Sequence, residues 1–290
     1  MRLFKKGFEI RFALQDKTIG FIGAGQMGQA IFRGLIASGG VPADHIVITD
    51  VDEQKLDALR QELGIQTVLS DLQNSGAAAL ARRVDILVFA VSPQLARGVL
   101  SAAGPHLDAK QLVISIMGGI SLSCLEAALP VSPVLRVMPN TPLMVRKGVT
   151  GIVTGTRATK EHAELGKALF ELLGAAYFLA ESLLDPFTGL CGCSPAFTYM
   201  YIESLAMGAV ERGLPADEAV RMAAQALAGA AEMVLQTGKK PGELMANVCT
   251  PGGSTVAGVH TLEANAFRGI VMDALCESCD RMERVGKKSE

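Results

Sequence analysis

Thr18-Ile19-Gly20-Phe21-Ile22-Gly23-Ala24-Gly25-Gln26-Met27-Gly28 is a short apolar run that ends in three glycines spaced Gly-x-Gly-x-x-Gly, and a helical pattern begins at the last of them. In that context each glycine has a physical task. Gly23 makes the tight turn, Gly25 keeps a Cβ out of the path of a pyrophosphate, and Gly28 lets helix and strand pack closely. The amides that open the helix then meet the anion. Gly23, Gly25, Gln26, Met27 and Gly28 are therefore read as cofactor-binding, and the stretch as the first turn of a fold that holds a nicotinamide dinucleotide.

Working outward, apolar β-branched runs at Thr18 to Ile22, Ile46 to Thr49, Ile86 to Ala90, Leu112 to Ser115, Val134 to Val137 and Gly151 to Thr154 alternate with helical spacing. Helices are predicted at Gly28 to Ser38, Glu53 to Leu63 and Pro93 to Ala103, with Gly39-Gly40 as a stop. This is the pattern of a parallel sheet covered on both faces, an α/β doubly wound (Rossmann) domain. After a helix at Lys160 to Leu173 and a short strand near Tyr177 to Leu179, the composition turns to Ala, Leu and Met. Helices at Pro195 to Arg212 and Pro215 to Gln236 make the second domain all-α. The second of these is apolar round most of its circumference, which predicts burial against another subunit. The expected organisation is an extension at 1–16, a dinucleotide-binding domain at 17–180 and a helical substrate and dimerisation domain at 181–290.

Composition narrows the partners. With a formal charge of -2, no long run of Lys or Arg, no Trp and three Tyr, nucleic acid is not expected. Apolar stretches are broken by Gly, Pro or charge before the roughly 18 residues that a membrane span requires. The basic, aromatic start at Met1 to Asp16 lacks an uninterrupted apolar core and a cleavage site, so it reads as an extension rather than a signal. Six cysteines and four scattered histidines have no metal-ligand spacing, and no metal is expected. Free thiols fit a reducing cytoplasm.

Asp50 stands at the end of the second strand, twenty-two positions after Gly28, where an acid accepts hydrogen bonds from the adenosine ribose. Its carboxylate repels a 2′-phosphate, and Val51, Asp52 and Glu53 follow with no cation among them. NAD(H) is therefore expected to serve at least as well as NADP(H). Asp50 could instead cap the next helix. Ala90-Val91-Ser92-Pro93 ends another strand on the same crevice, and these four residues are expected to line the cofactor. In Met138-Pro139-Asn140-Thr141-Pro142 two prolines stiffen the loop that carries Asn140, also read as cofactor-binding. Farther on, Cys249-Thr250-Pro251-Gly252-Gly253-Ser254-Thr255 opens a helix with bare amides beside two hydroxyls, which suits a small carboxylate as well as it suits a plain Ser cap.

The ordered set GAGQMG, AVSPQ, VMPNTP, GCSPAF, LAGAAEMV and PGGSTVAG, ending in LEANAFRG, resembles pyrroline-5-carboxylate reductase from about Thr18 to Gly286. The resemblance implies reduction of the cyclic imine 1-pyrroline-5-carboxylate to L-proline, the last step of proline synthesis, by NADH or NADPH. It implies a helical domain interlocked with that of a partner subunit, a homodimer and a pentamer of dimers. It further implies that Gly252, Gly253, Ser254 and Thr255 bind the carboxylate of the imino acid, with the Thr255 hydroxyl facing the ring nitrogen as the catalytic group. Two departures stand out: the family pattern has Lys where this chain has Ser92, and Gly-Ser-Gly-Pro-Ala-Tyr at Gly192 to Phe197.

An iminium substrate already carries its proton, so the chemistry is chiefly alignment of hydride donor and imine carbon. His260 reads as an ordinary helix residue. A β-hydroxyacid dehydrogenase, the neighbouring enzyme type, resembles a family with a catalytic Lys that Gly192 to Tyr201 does not contain. A reductase of a different cyclic imino acid and a non-catalytic cofactor-binding regulator could be built on the same fold.

Overall fold

The computed structural model describes residues 14–286. The extension read at 1–16 lies outside the described residues up to position 13. Its described end is not loose, because Leu14 is fully buried in the core.

The chain runs β1 (Ile19–Ile22), α1 (Gln26–Ala37), β2 (Ile46–Asp50), α2 (Glu53–Leu63), β3 (Gln66–Leu69), α3 (Ser75–Ala81), β4 (Ile86–Phe89), α4 (Ala96–Ala103), β5 (Leu112–Ser115), α5 (Leu122–Ala128), β6 (Val134–Met138), β7 (Gly148–Thr154), α6 (Lys160–Glu171) and β8 (Gly174–Phe178). The strands form one sheet in the order β3-β2-β1-β4-β5-β6-β7-β8. Among the described residues only the β6–β7 pair is antiparallel. The order reverses between β1 and β4, and the glycine loop leaves β1 at that point, where open α/β sheets bind ligands.

Every residue of β1, β4 and β5 is buried, as helices on both faces require. Successive side chains alternate between two cores, with Phe21 and Val88 in one and Ile22, Leu87 and Phe89 in the other. Phe21 meets Phe32 of α1 edge-on, ring centroids 5.5 Å apart, which fixes that helix over β1. The sequence pattern does not predict β3, α3 or α5. β3 is a half-exposed edge strand with no fully buried residue, and the two helices have seven residues each, too few to show a period.

α7 (Leu184–Phe187) and a π-helical turn (Thr188–Cys193) lead to α8 (Ser194–Glu211), α9 (Ala216–Thr237), α10 (Pro241–Val248), α11 (Ser254–Ala264) and α12 (Phe267–Gly286). Among the described residues the chain divides into one unit at 14–192 with 281–286, and another at 193–280. The division falls later than the expected 180/181 boundary. Residues 181–192 are tied to the sheet: the Glu181 carboxylate accepts the Leu122 N–H at 2.7 Å and pairs with Arg136, while the Asn140 amide donates to the Cys191 carbonyl. Among the described residues of the second unit only Ala206 and Ala219 are buried. Its helices instead present Met200, Met207, Leu235, Ile270 and Met272, all more than half exposed.

Candidate active site

At the mouth of β1, Gly23 takes a φ of 98°, which a side chain rarely adopts, and its amide donates to the Thr49 carbonyl at 2.8 Å. A Cβ there would lie 2.8 Å from both the Ala90 carbonyl oxygen and Val91 Cγ1. One on Gly28 would lie 2.9 Å from the Gly23 carbonyl oxygen. These two glycines are required by packing. Gly25 is different: the nearest atom to a Cβ would be the Ala90 carbonyl oxygen at 4.0 Å, and the residue is exposed. The space that its missing side chain leaves is open to a ligand. Gly25 is also the N-cap of α1 and has no side chain to cap it, so the first-turn amides at Gln26, Met27 and Gly28 suit a pyrophosphate. Gln26 is exposed, and Met27 packs partly on the core.

Asp50 closes the loop from the side. Its Oδ2 accepts the Ala24 N–H at 2.8 Å, its Oδ1 accepts the Asp52 N–H at 3.1 Å, and Lys55 Nζ lies 3.3 Å from Oδ1. Burial pushes the Asp50 carboxyl up, but the Ala24 and Asp52 amides and the Lys55 ammonium outweigh it and hold it below the usual carboxylate range. The capping of α2 falls to Asp52, which accepts the Lys55 N–H at 3.0 Å, and not to Asp50. The sequence pattern hides Lys55, because it does not follow Asp50 directly. The helical turn begun at Asp52 brings it back.

Ala90 and Val91 stand against Gly23, as the contacts of that glycine show. Ser92 and Pro93 are exposed and open a short 3₁₀ turn, in which the Ser92 side chain makes no cap hydrogen bond. Asn140 is buried. Its Nδ2 donates to the Cys191 carbonyl at 2.8 Å and its Oδ1 accepts the Val149 N–H at 2.8 Å. Both ends of the amide join parts of the chain, so one N–H remains for any other partner. A cavity of about 630 Å³ opens at the carboxyl ends of β5 and β6, lined by Gly118, Gly119, Arg136, Met138, Glu181 and Thr188 among others. No sequence motif marks these residues, although the Gly118-Gly119 pair follows a strand as the other loops do.

In the helical unit, Gly252 has a φ of 71° and the Gly253 amide donates to the Thr250 carbonyl at 2.9 Å. The N-cap of α11 is Gly253, with no side-chain cap, so Ser254 is the first helical residue rather than the cap. Ser254 and Thr255 are exposed beside these amides, and His260 is exposed farther along the helix. All six cysteines are free, and among the described residues no three His, Cys, Asp or Glu side chains gather as a metal site. No described helix is long and apolar enough to cross a membrane.

A doubly wound sheet with this loop at its switch point defines a dinucleotide-binding protein. Residues 18–119 match the family of coenzyme F420-dependent NADP oxidoreductases, and residues 181–285 match the pyrroline-5-carboxylate reductase dimerisation domain. The chain is similar to pyrroline-5-carboxylate reductase of Methanosarcina acetivorans, 40% identical over 95% of this chain and 100% of that one. It is 38% identical to that of Escherichia coli over 94% and 99%. Its fold matches Plasmodium falciparum pyrroline carboxylate reductase with NADP bound at a TM-score of 0.82 and 28% identity, over 94% of this chain and 99% of that one. The chain belongs to the pyrroline-5-carboxylate reductase family. Its dimerisation domain makes it an oligomer, which accounts for the apolar helices left uncovered in a single copy.

Proposed function

We propose that this protein reduces 1-pyrroline-5-carboxylate to L-proline with a hydride from NADH or NADPH. The observation that carries the reading is the presence of two anion-ready helix starts on one chain of this family. One is the open Gly25 loop, and the other is the uncapped Gly253 turn beside Ser254 and Thr255.

The amides at Gln26, Met27 and Gly28, opened by Gly23 and Gly25, hold the pyrophosphate. Asp50 accepts from the adenosine ribose, Ala90, Val91, Ser92 and Pro93 form the wall, and the remaining N–H of Asn140 serves the same ligand. Gly252, Gly253, Ser254 and Thr255 hold the substrate carboxylate. The cofactor, when bound, supplies two electrons and one hydrogen as hydride. The Thr255 hydroxyl orients the ring nitrogen of the iminium, which keeps its own proton, while the C=N π pair becomes the nitrogen lone pair and the carbon gains hydrogen. The residues of this chain therefore position the reactants rather than relay a proton. NADH serves at least as well as NADPH, the working assembly is a homodimer with a pentamer of dimers above it, and six free thiols suit a reducing cytoplasm.

The test is dinucleotide oxidation with five- and six-membered cyclic imine acids side by side. Turnover is expected with the five-membered ring. A preference for the six-membered ring would overturn the substrate, and a hundredfold preference for NADPH would overturn the cofactor order. Thr255→Ala is expected to lower kcat/KM about 100-fold through lost alignment of the ring, with the dinucleotide Kd unchanged. Unchanged turnover would remove Thr255 from the mechanism.

A further inference from the structure

We propose that Lys55 is the group through which this chain admits a 2′-phosphate, so that NADP(H) is used beside NAD(H) despite the acid at Asp50. The inference rests on reading the Gly23 to Gly28 loop as a dinucleotide site and goes beyond it to the residue that sorts the two dinucleotides.

The end of β2 is where a doubly wound fold meets the adenosine ribose, so the charge displayed there decides between a 2′-hydroxyl and a 2′-phosphate. Asp50 does not display its charge freely. A carboxylate offers about four acceptor positions, and three are occupied: by the Ala24 amide, the Asp52 amide and Lys55 Nζ. Its side chain is 12% exposed, against 36% for Lys55. The Lys55 side chain, not that of Asp50, is the more exposed member of the pair.

Lys55 is held in place by two acids, with Nζ 3.3 Å from Asp50 Oδ1 and 3.6 Å from Asp52 Oδ2. Asp52 is committed to capping α2 through the Lys55 backbone amide. The first turn of a helix is an unfavourable place for a cation, because it faces the positive end of the macrodipole. An incoming phosphate is favoured by that same helix end and by the ammonium together. With NAD(H), Asp50 uses its remaining acceptor position for the 2′-hydroxyl while Lys55 stays on the carboxylate. With NADP(H), the flexible stem of Lys55 turns the ammonium to the phosphate, and the Ala24 and Asp52 amides keep Asp50 charged and aimed at the loop.

The experiment is titration of NADPH and NADH, without imine, into the full-length wild type, Lys55→Met and Lys55→Arg, followed by nucleotide fluorescence. Lys55→Met is expected to weaken NADPH at least tenfold and NADH less than twofold. Lys55→Arg is expected to keep NADPH within threefold of the wild type. A purely structural Lys55 would disturb Asp50 and the loop, and both dinucleotides would weaken together; that outcome, or no change in either, overturns the proposal. Imine reduction is assayed separately. A chain that binds both dinucleotides with the Lys55 pattern but reduces no imine overturns the reaction proposed above and supports this inference. A wild type that binds neither dinucleotide overturns both.

Discussion

The sheet unit and the helical unit solve burial in opposite ways. In the first, Phe21, Phe32, Phe89 and Phe170 are fully shielded by neighbours from the same chain. In the second, Met200 is 71% and Leu235 75% exposed, and the side chains buried within one copy are Ala206 and Ala219. The difference lies in the elements themselves. A doubly wound sheet closes its own core because its central strands are flanked by helices its own chain supplies. Long helices that are apolar on several sides need more surface than one copy provides, and the dimerisation domain obtains it from another copy.

The largest effect that sharpens this contrast should come from the sheet core. Phe32→Ala removes the edge-on partner of Phe21 from a closed core and should lower unfolding free energy by about 3–5 kcal/mol, read by chemical denaturation. The loss should appear equally at low and high protein concentration. Equal stability of variant and wild type would show that the core is not where the structure puts it.

Next comes the helical unit. Met200→Gln with Leu235→Gln should weaken self-association at least a hundredfold, since each apolar side chain contributes roughly 1.5–3 kcal/mol when covered. Analytical ultracentrifugation reports the mass, while circular dichroism should show the sheet unit still folded in the dissociated protein. An unchanged mass at every concentration would place these two side chains outside the interface.

The smallest effect returns to the sheet unit. Asp52→Ala removes the cap of α2 and should cost about 1 kcal/mol with assembly unaffected. A loss well above that would mean that Asp52 does more than cap, for instance by steadying Lys55.

What is legible in the sequence follows the same division. β1, the glycine loop and α1 can be read because apolar runs, glycine spacing and helical period agree there. β3 cannot, since Gln66 and Thr67 on an exposed edge carry no apolar run. The matched dimerisation domain begins at Glu181, while the compact units part at 192/193, because the pairing of Glu181 with Arg136 spans 45 positions and depends on the folded sheet. Lys55 is hidden because distance along the chain does not show the helical turn that returns it to Asp50.

The six-residue loop from Gly23 to Gly28 also divides by what each selection would notice. A screen for folded protein would reject side chains at Gly23 and Gly28, which collide with backbone atoms within 3 Å, and would leave Gly25 free to drift. If the loop holds a dinucleotide as proposed, only a screen for that binding is expected to hold Gly25 fixed. Libraries sorted both ways at these three positions would therefore separate the part of the loop that belongs to the protein from the part that belongs to its ligand.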